Sequence, residues 1–338
     1  MARIQELLSG RDNTLDHYRL IAQFPWIVEK NKLCILSPDN DGLLCGLFMS
    51  HFFNWKVKGF YDGKVMLLHK DFKPGDCVFL DIEIYRENIR SIGHHMINYN
   101  KRMNFIKWNN YKNCIQPNIL RNYDGRNDFR LKYPLATIHL LISIVSNKID
   151  FKLTEDSVAP LFFTDGTFNV LFSYPENVLN WMNYLGITNT PNPLYKIFCE
   201  NDFTPYKLML EMDKFFRRRD EISISNERGD RLRISNTDGS PANSLYNEDG
   251  VYLNILAVER IKKFILLLEE FTSWEYKEDD WTWQNFKQHL FTKKDFKGQN
   301  KRVNGNNFRE MVEQNPLSWA MTSGDNIEYT LEEPGKLE

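Results

Sequence analysis

The stretch Cys34-Ile-Leu-Ser-Pro-Asp-Asn-Asp-Gly-Leu-Leu-Cys-Gly-Leu-Phe48 constrains this chain more than any other. Leu33–Leu36 is a short apolar run with the length of a buried strand, and Ser37-Pro38 stops it. Residues 43–53, opened by Gly42, have the length and residue types of a buried helix. Between the two stand the alternating carboxylates Asp39 and Asp41. A strand end followed by a helix start is where open α/β sheets place their ligands. Two carboxylates there, with a helix N-terminus behind them, suit a hard divalent cation and a phosphate. Asp is also a favoured N-cap residue, so a merely capped helix would carry the same pair.

At 338 residues, the chain has room for one large or two ordinary domains, and an apolar share of 42% supports a real core. A formal net charge of -2 gives no global nucleic-acid or membrane signature, so any basic surface must be local. The first residues, Met-Ala-Arg-Ile-Gln-Glu, lack the apolar core of a signal peptide. No apolar stretch approaches the roughly 20 residues that span a bilayer. Cys34, Cys45, Cys77, Cys114 and Cys199 are widely spaced and odd in number, the pattern of reduced core thiols. The expectation is a cytoplasmic protein with no membrane contact.

Further along, residues 57–61 and 64–68 read as strands, and residues 77–84 as a strong strand that carries Asp81 towards its end. Residues 98–133 are rich in Asn, Lys, Arg and aromatics and read as irregular structure at the rim of a sheet. Residues 133–145 return to an apolar helix, in which His139 reads as a core histidine. Residues 161–168 read as a last strand and turn, with Asp165 at its end. Helices are expected at 176–185, 205–219 and 251–274, and a hairpin or mobile loop at 222–249. The expected fold is α/β: a parallel-sheet domain over residues 1–185, then a mainly helical substrate- or partner-binding region over 186–338.

A parallel sheet would gather Asp39, Asp41, Asp81 and Asp165 on one edge, beside His94 and His95. Carboxylates with one or two imidazoles suit Mn²⁺, or Mg²⁺ with weaker discrimination. Such a site can activate a water and hold a phosphoryl oxygen, the chemistry of phosphoester hydrolysis. Lys101, Arg102, Phe105, Lys107, Trp108, Tyr111 and Lys112 interleave cations with rings, the pattern of a platform for single-stranded nucleic acid. A loop packed over the sheet edge would look the same. Arg217, in Arg217-Arg218-Arg219, can grip a phosphate or simply complement a helix C-terminus.

In this order the motifs resemble the DHH phosphoesterase superfamily, which includes RecJ-type exonucleases, nano-RNases and manganese-dependent pyrophosphatases. Pro38-Asp39-Asn40-Asp41-Gly42 is similar to its first motif and Phe79-Leu80-Asp81 to its second. Gly93-His94-His95 is similar to its namesake, and Thr164-Asp165-Gly166-Thr167-Phe168 to its fourth. The likeness covers roughly residues 30–185. It implies that Asp81 bridges two metals, that Asp41, His94 and Asp165 complete one metal site, and that Asp39 serves the other. It implies that His95 meets the phosphate. The expected activity is metal-dependent hydrolysis of nucleic acid, single-stranded by preference, or of small nucleotides.

The chain departs from that pattern in three places. Ile35, Leu36 and Ser37 stand where the family has a His, and Gly93 stands where it has the Asp of Asp-His-His. The interval from Asp81 to His94 leaves little room for a helix. Glu83, His69 and His51 are the residues that would compensate. The alternative expectation is a catalytically weak or inactive scaffold that binds a protein partner, or a second copy, through its C-terminal half.

Overall fold

The computed structural model describes residues 4–103, 105–200, 204–223, 229–248 and 250–332. Residues 224–228 and 249 of the expected 222–249 loop, and the last residues of the polar tail, lie outside them. The nine strands of the main sheet are β1 (Leu33–Leu36), β2 (Lys56–Tyr61), β3 (Val65–His69), β4 (Cys77–Leu80), β5 (Arg90–Ile92), β6 (Cys114–Ile115), β7 (Ser244–Asn247), β8 (Gly250–Leu253) and β9 (Phe286–Leu290). Their order across the sheet is β6-β5-β4-β1-β2-β3-β9-β8-β7. The half from β6 to β2 is parallel, and the half from β3 to β7 is antiparallel. A second, antiparallel sheet holds β10 (Thr292–Asp295), β12 (Asn326–Leu331) and β11 (Ser318–Ser323), in that order.

The central strands of the parallel half, β1 and β4, are covered on both faces, which is why they are continuously apolar. Successive residues point to opposite sides. Cys34, Leu36, Val78 and Leu80 pack into the large core beneath the helices. Ile35, Cys77 and Phe79 pack into a smaller core on the other face. A third core, around Tyr85, Met96, Phe308 and Trp319, ties the second sheet and the helix Gly305–Glu313 to the segment after β5.

The expected strands β1 to β3 are present with nearly the expected ends, but β3 returns from β2 through a tight turn and runs antiparallel, so the sheet expected to be parallel is mixed. β4 is shorter than expected, because Asp81 takes a left-handed backbone (φ 61°) that ends it. Residues 161–168 are not a strand. Val158–Phe163 is a helix, with Pro160 in its first turn where a missing N–H costs nothing, and Thr164–Gly166 is a tight turn. The expected helix over 251–274 is divided: Gly250–Leu253 joins the sheet, and Asn254 caps a helix, Ile255–Thr272. The region beyond residue 185 was expected to be mainly helical, yet it supplies six strands. Three of them extend the main sheet, because alternating Val251 and Leu253 find an apolar face to cover there. Among the described residues, no helix is long and apolar enough to cross a membrane. All five cysteines are free.

Candidate metal centre

Three neighbouring parallel strands, β1, β4 and β5, end level with one another. Leu36 pairs with Leu80, and Leu80 with Ile92. The residues just beyond those ends therefore share one edge of the sheet. After β1, Asp39 caps the helix Asn40–Phe53, its Oδ1 accepting from the Gly42 N–H at 3.3 Å. Gly42 allows this turn, since a Cβ there would lie 2.1 Å from the Ser37 carbonyl oxygen. Asp39 is thus a cap, and its other oxygen faces Arg231 at 3.5 Å. Asp41 turns inward and accepts from the Thr137 and Ile138 N–H groups, at 2.7 and 3.0 Å. Those donors open the helix Thr137–Val145, so its positive end faces a buried carboxylate.

Asp81 follows β4, and His94 and His95 follow β5. Asp165 reaches the same place from the turn between two helices, held there by the Asn40 side chain, whose amide donates to Thr164 Oγ1 at 2.5 Å. One ligand atom from each of Asp81, His94, His95 and Asp165 falls within 4.8 Å of all the others, and this set can hold a metal ion. Asp81 is buried, His94 half-buried, and His95 and Asp165 are open on one side. Asp81 and Asp165 both hold left-handed backbone, at 61° and 51°. Eight other described non-glycine residues, seven of them Asn, do so elsewhere in the fold.

Thr137 connects the group. Its hydroxyl donates to Asp81 Oδ1 at 2.7 Å, so at 2.7 Å from His94 Nδ1 it is the acceptor. That puts a proton on Nδ1 and turns Nε2 towards the Asp165 carboxylate, 3.2 Å away. This is the arrangement by which a protein fixes the tautomer of a metal-binding imidazole. Burial and the neighbouring His95 charge lower the His94 pKa, which favours the neutral ligand form. Burial, with Asp165 nearby, pushes Asp41 up to about 7. Burial and three neighbouring carboxylates hold Asp81 well above the usual range. Asp165 is likewise penalised by burial, but His94 and His95 outweigh that and lower it. Carboxylates crowded this way are relieved by a cation. The donors are carboxylate oxygens and imidazole nitrogens, with no thiol among them.

Beside this group lies a cavity of about 560 Å³. Asp39, Asp81, Glu83 and His95 line one side of it, and Tyr329 and Thr330 of the second sheet line the other. Arg231, Lys64 and Lys293 bring positive charge to its walls and Asp62 and Glu328 negative charge, Lys293 pairing with Glu328 at 2.8 Å. Lys64 also secures one rim, its Nζ donating to the carbonyls of Asn236 and Thr237 at 3.0 and 3.1 Å.

Lys101, Arg102, Trp108 and Arg217, the expected substrate contacts, do not line this cavity. Lys101 pairs with buried Asp128 at 3.3 Å and donates to the Asn122 carbonyl at 2.9 Å, so it serves the loop's own folding. Arg102 is exposed, and Trp108 lies half-open against Tyr111. Arg217 pairs with Asp213 one helical turn away, at 2.7 Å. His139 is fully buried against Phe198, as expected of a core residue. His51 accepts from the Glu275 N–H and His69 pairs with Asp71, so neither compensates at the site. Glu83 does reach it.

Sequence reasoning missed Thr137, Arg231, Lys64 and Lys293. A Thr in the first turn of a helix is too common to signal anything. Arg231-Leu232-Arg233, with its buried Leu between two cations, was the one local hint of a packed basic wall. No protein-family model, curated protein or solved structure matches the chain.

Proposed function

We propose that this protein is a metal-dependent phosphoesterase with a DHH-like site, acting on a small nucleotide-like phosphoester. The observation that carries this reading is the convergence of Asp81, His94, His95 and Asp165 within 4.8 Å, with Asp39 and Asp41 directly behind. Asp81, His94 and Asp165 would hold a Mn²⁺ or Mg²⁺ ion, with Asp39 and Asp41 completing the anionic surroundings. A divalent ion there supplies Lewis-acid polarisation of a phosphoryl oxygen and makes a nearby water easier to deprotonate.

The chain's own groups do the rest. Thr137 fixes the His94 tautomer. Arg231 and Lys293 bring cations to the cavity and neutralise an incoming phosphate. His95 is cationic at neutral pH: burial disfavours its charge, but Glu83 more than offsets this and raises its pKa to about 9. It faces the cavity and donates to a phosphate oxygen or to the departing alkoxide. The volume, about 560 Å³, falls in the small-molecule range of ~300–1,000 Å³. That favours a mononucleotide or dinucleotide over a long strand, as does the absence of Lys101, Arg102 and Trp108 from the cavity lining.

The test is Mn²⁺-dependent hydrolysis of bis(p-nitrophenyl) phosphate, a dinucleotide and a labelled single-stranded oligonucleotide, with Asp81→Asn beside the wild type. Hydrolysis that disappears in the variant supports the reading, and cleavage only of the small substrates supports the substrate size. No hydrolysis by the wild type, together with no bound manganese, would sink it. The alternative, a non-catalytic scaffold, would then stand.

A further inference from the structure

The link from β4 to β5, residues 81–89, is shorter than the dozen or so residues of a helical crossover. No helix forms there. The chain folds back instead: the Ile82 N–H donates to the Ile92 carbonyl at 3.1 Å, and the Ile84 N–H donates to Ser91 Oγ at 3.1 Å. This lays Glu83 directly against Gly93. A Cβ on Gly93 would stand 2.6 Å from both the carboxyl carbon and Oε2 of Glu83. The glutamate fills the space that a side chain at position 93 would need. Its Oε1 accepts from the Met96 N–H at 2.7 Å, and its Oε2 lies 3.7 Å from His95 Nδ1. Buried and bound to the backbone through Oε1, it stands at ion-pair distance from His95 Nδ1, which also lies 4.0 Å from Asp81 Oδ1.

We infer that Glu83 is the positioning residue for His95, and that it replaces, from the β4–β5 link, a carboxylate that position 93 would otherwise supply. The inference deepens the phosphoesterase reading and rests on it for its kinetic consequence, though its geometric content does not. A buried carboxylate with a glycine opposite is a reciprocal pair. Either residue can carry the acid, but both together collide and neither alone can be dropped. Gly93 is therefore no mark of a decayed site.

The experiment is a swap: Glu83→Ala, Gly93→Asp and the double variant, each read by melting temperature and by steady-state kinetics with Mn²⁺ and a small phosphodiester. Glu83→Ala should lower kcat by about 10–100-fold with little change in KM, the usual cost of losing a carboxylate behind an active imidazole. Gly93→Asp alone should lower both the melting temperature and kcat, and the double variant should recover both. An unchanged kcat in Glu83→Ala, or a double variant no better than either single one, would overturn the inference. If the wild type hydrolyses nothing, the phosphoesterase reading fails, but the melting-temperature swap still decides the geometry.

Discussion

Burial sets the chemistry of Asp41 and Asp81 at the scale of single residues. Both are carboxylates in the core beside further negative charge, so their neutral forms are favoured in the metal-free protein. For Asp41 the folded value is about 7 against an ordinary 3.8. A carboxyl raised in the fold contributes stability that is complete below about pH 4 and is lost as pH rises through 7. A cation reverses that loss by pairing with the charged form. Saturating Mn²⁺ should therefore raise the melting temperature by more at about pH 7.5 than at about pH 5, which calorimetry at the two pH values would check. Equal shifts at both would mean that the ion binds elsewhere. Asp81 was legible because it stands just past a predicted strand end. Asp39 and Asp41, expected as ligands for the same reason, lie outside the group that can hold a metal, and His95, expected to meet the phosphate, lies within it. Thr137 was not legible, since its role depends on a helix N-terminus brought from 56 positions away in sequence from Asp81.

Among the elements, the strand–turn–helix from Leu33 to Phe53 was the most legible. Apolar period, the stop at Pro38, an Asp cap and Gly42 all point to the same structure, and local agreement of that kind specifies an element strongly. Gly42 is its critical residue. In Gly42→Ala the new Cβ would press on the Ser37 carbonyl oxygen, backbone that has no side chain to move aside. Overpacking costs typically 1–3 kcal/mol, and here the upper end is expected, about 3 kcal/mol by denaturant unfolding. A cost below about 0.5 kcal/mol would show that the turn relaxes freely. Residues 161–163, Leu-Phe-Phe, show the opposite case. An apolar run that short fits a buried strand or a buried helix equally, and periodicity cannot separate them. The fold resolved it as a helix, because Phe163 packs on Phe215 of the helix Pro205–Ile222. Asp165 arrived at the expected site by an unexpected route.

On the scale of the whole molecule, the cavity exists because the second sheet stands opposite the strand ends. Trp319 on β11 fixes that arrangement, its Nε1 donating to the Ile97 carbonyl two residues past His95 at 2.8 Å. Arg231 reaches the same space and meets Asp39. If the substrate is anionic, Arg231→Ala should raise KM by about tenfold and leave kcat nearly unchanged, since a screened surface charge acts mainly on binding. The loss should shrink as salt is added. A KM that does not move would remove the basic wall from the substrate path.

The sequence by itself determined the strands β1, β2 and β4, the helix after β1 and the carboxylates Asp39, Asp41 and Asp81 beside their ends, because those follow from local period and turn chemistry. Only the tertiary structure decided what surrounds them. The backfolded link that places Glu83 against Gly93, the Thr137 hydroxyl between Asp81 and His94, and the pairing of Arg231 with Asp39 at the cavity are contacts between residues distant in the chain or folded back across a turn. No local pattern encodes such contacts, since they arise from how the elements pack.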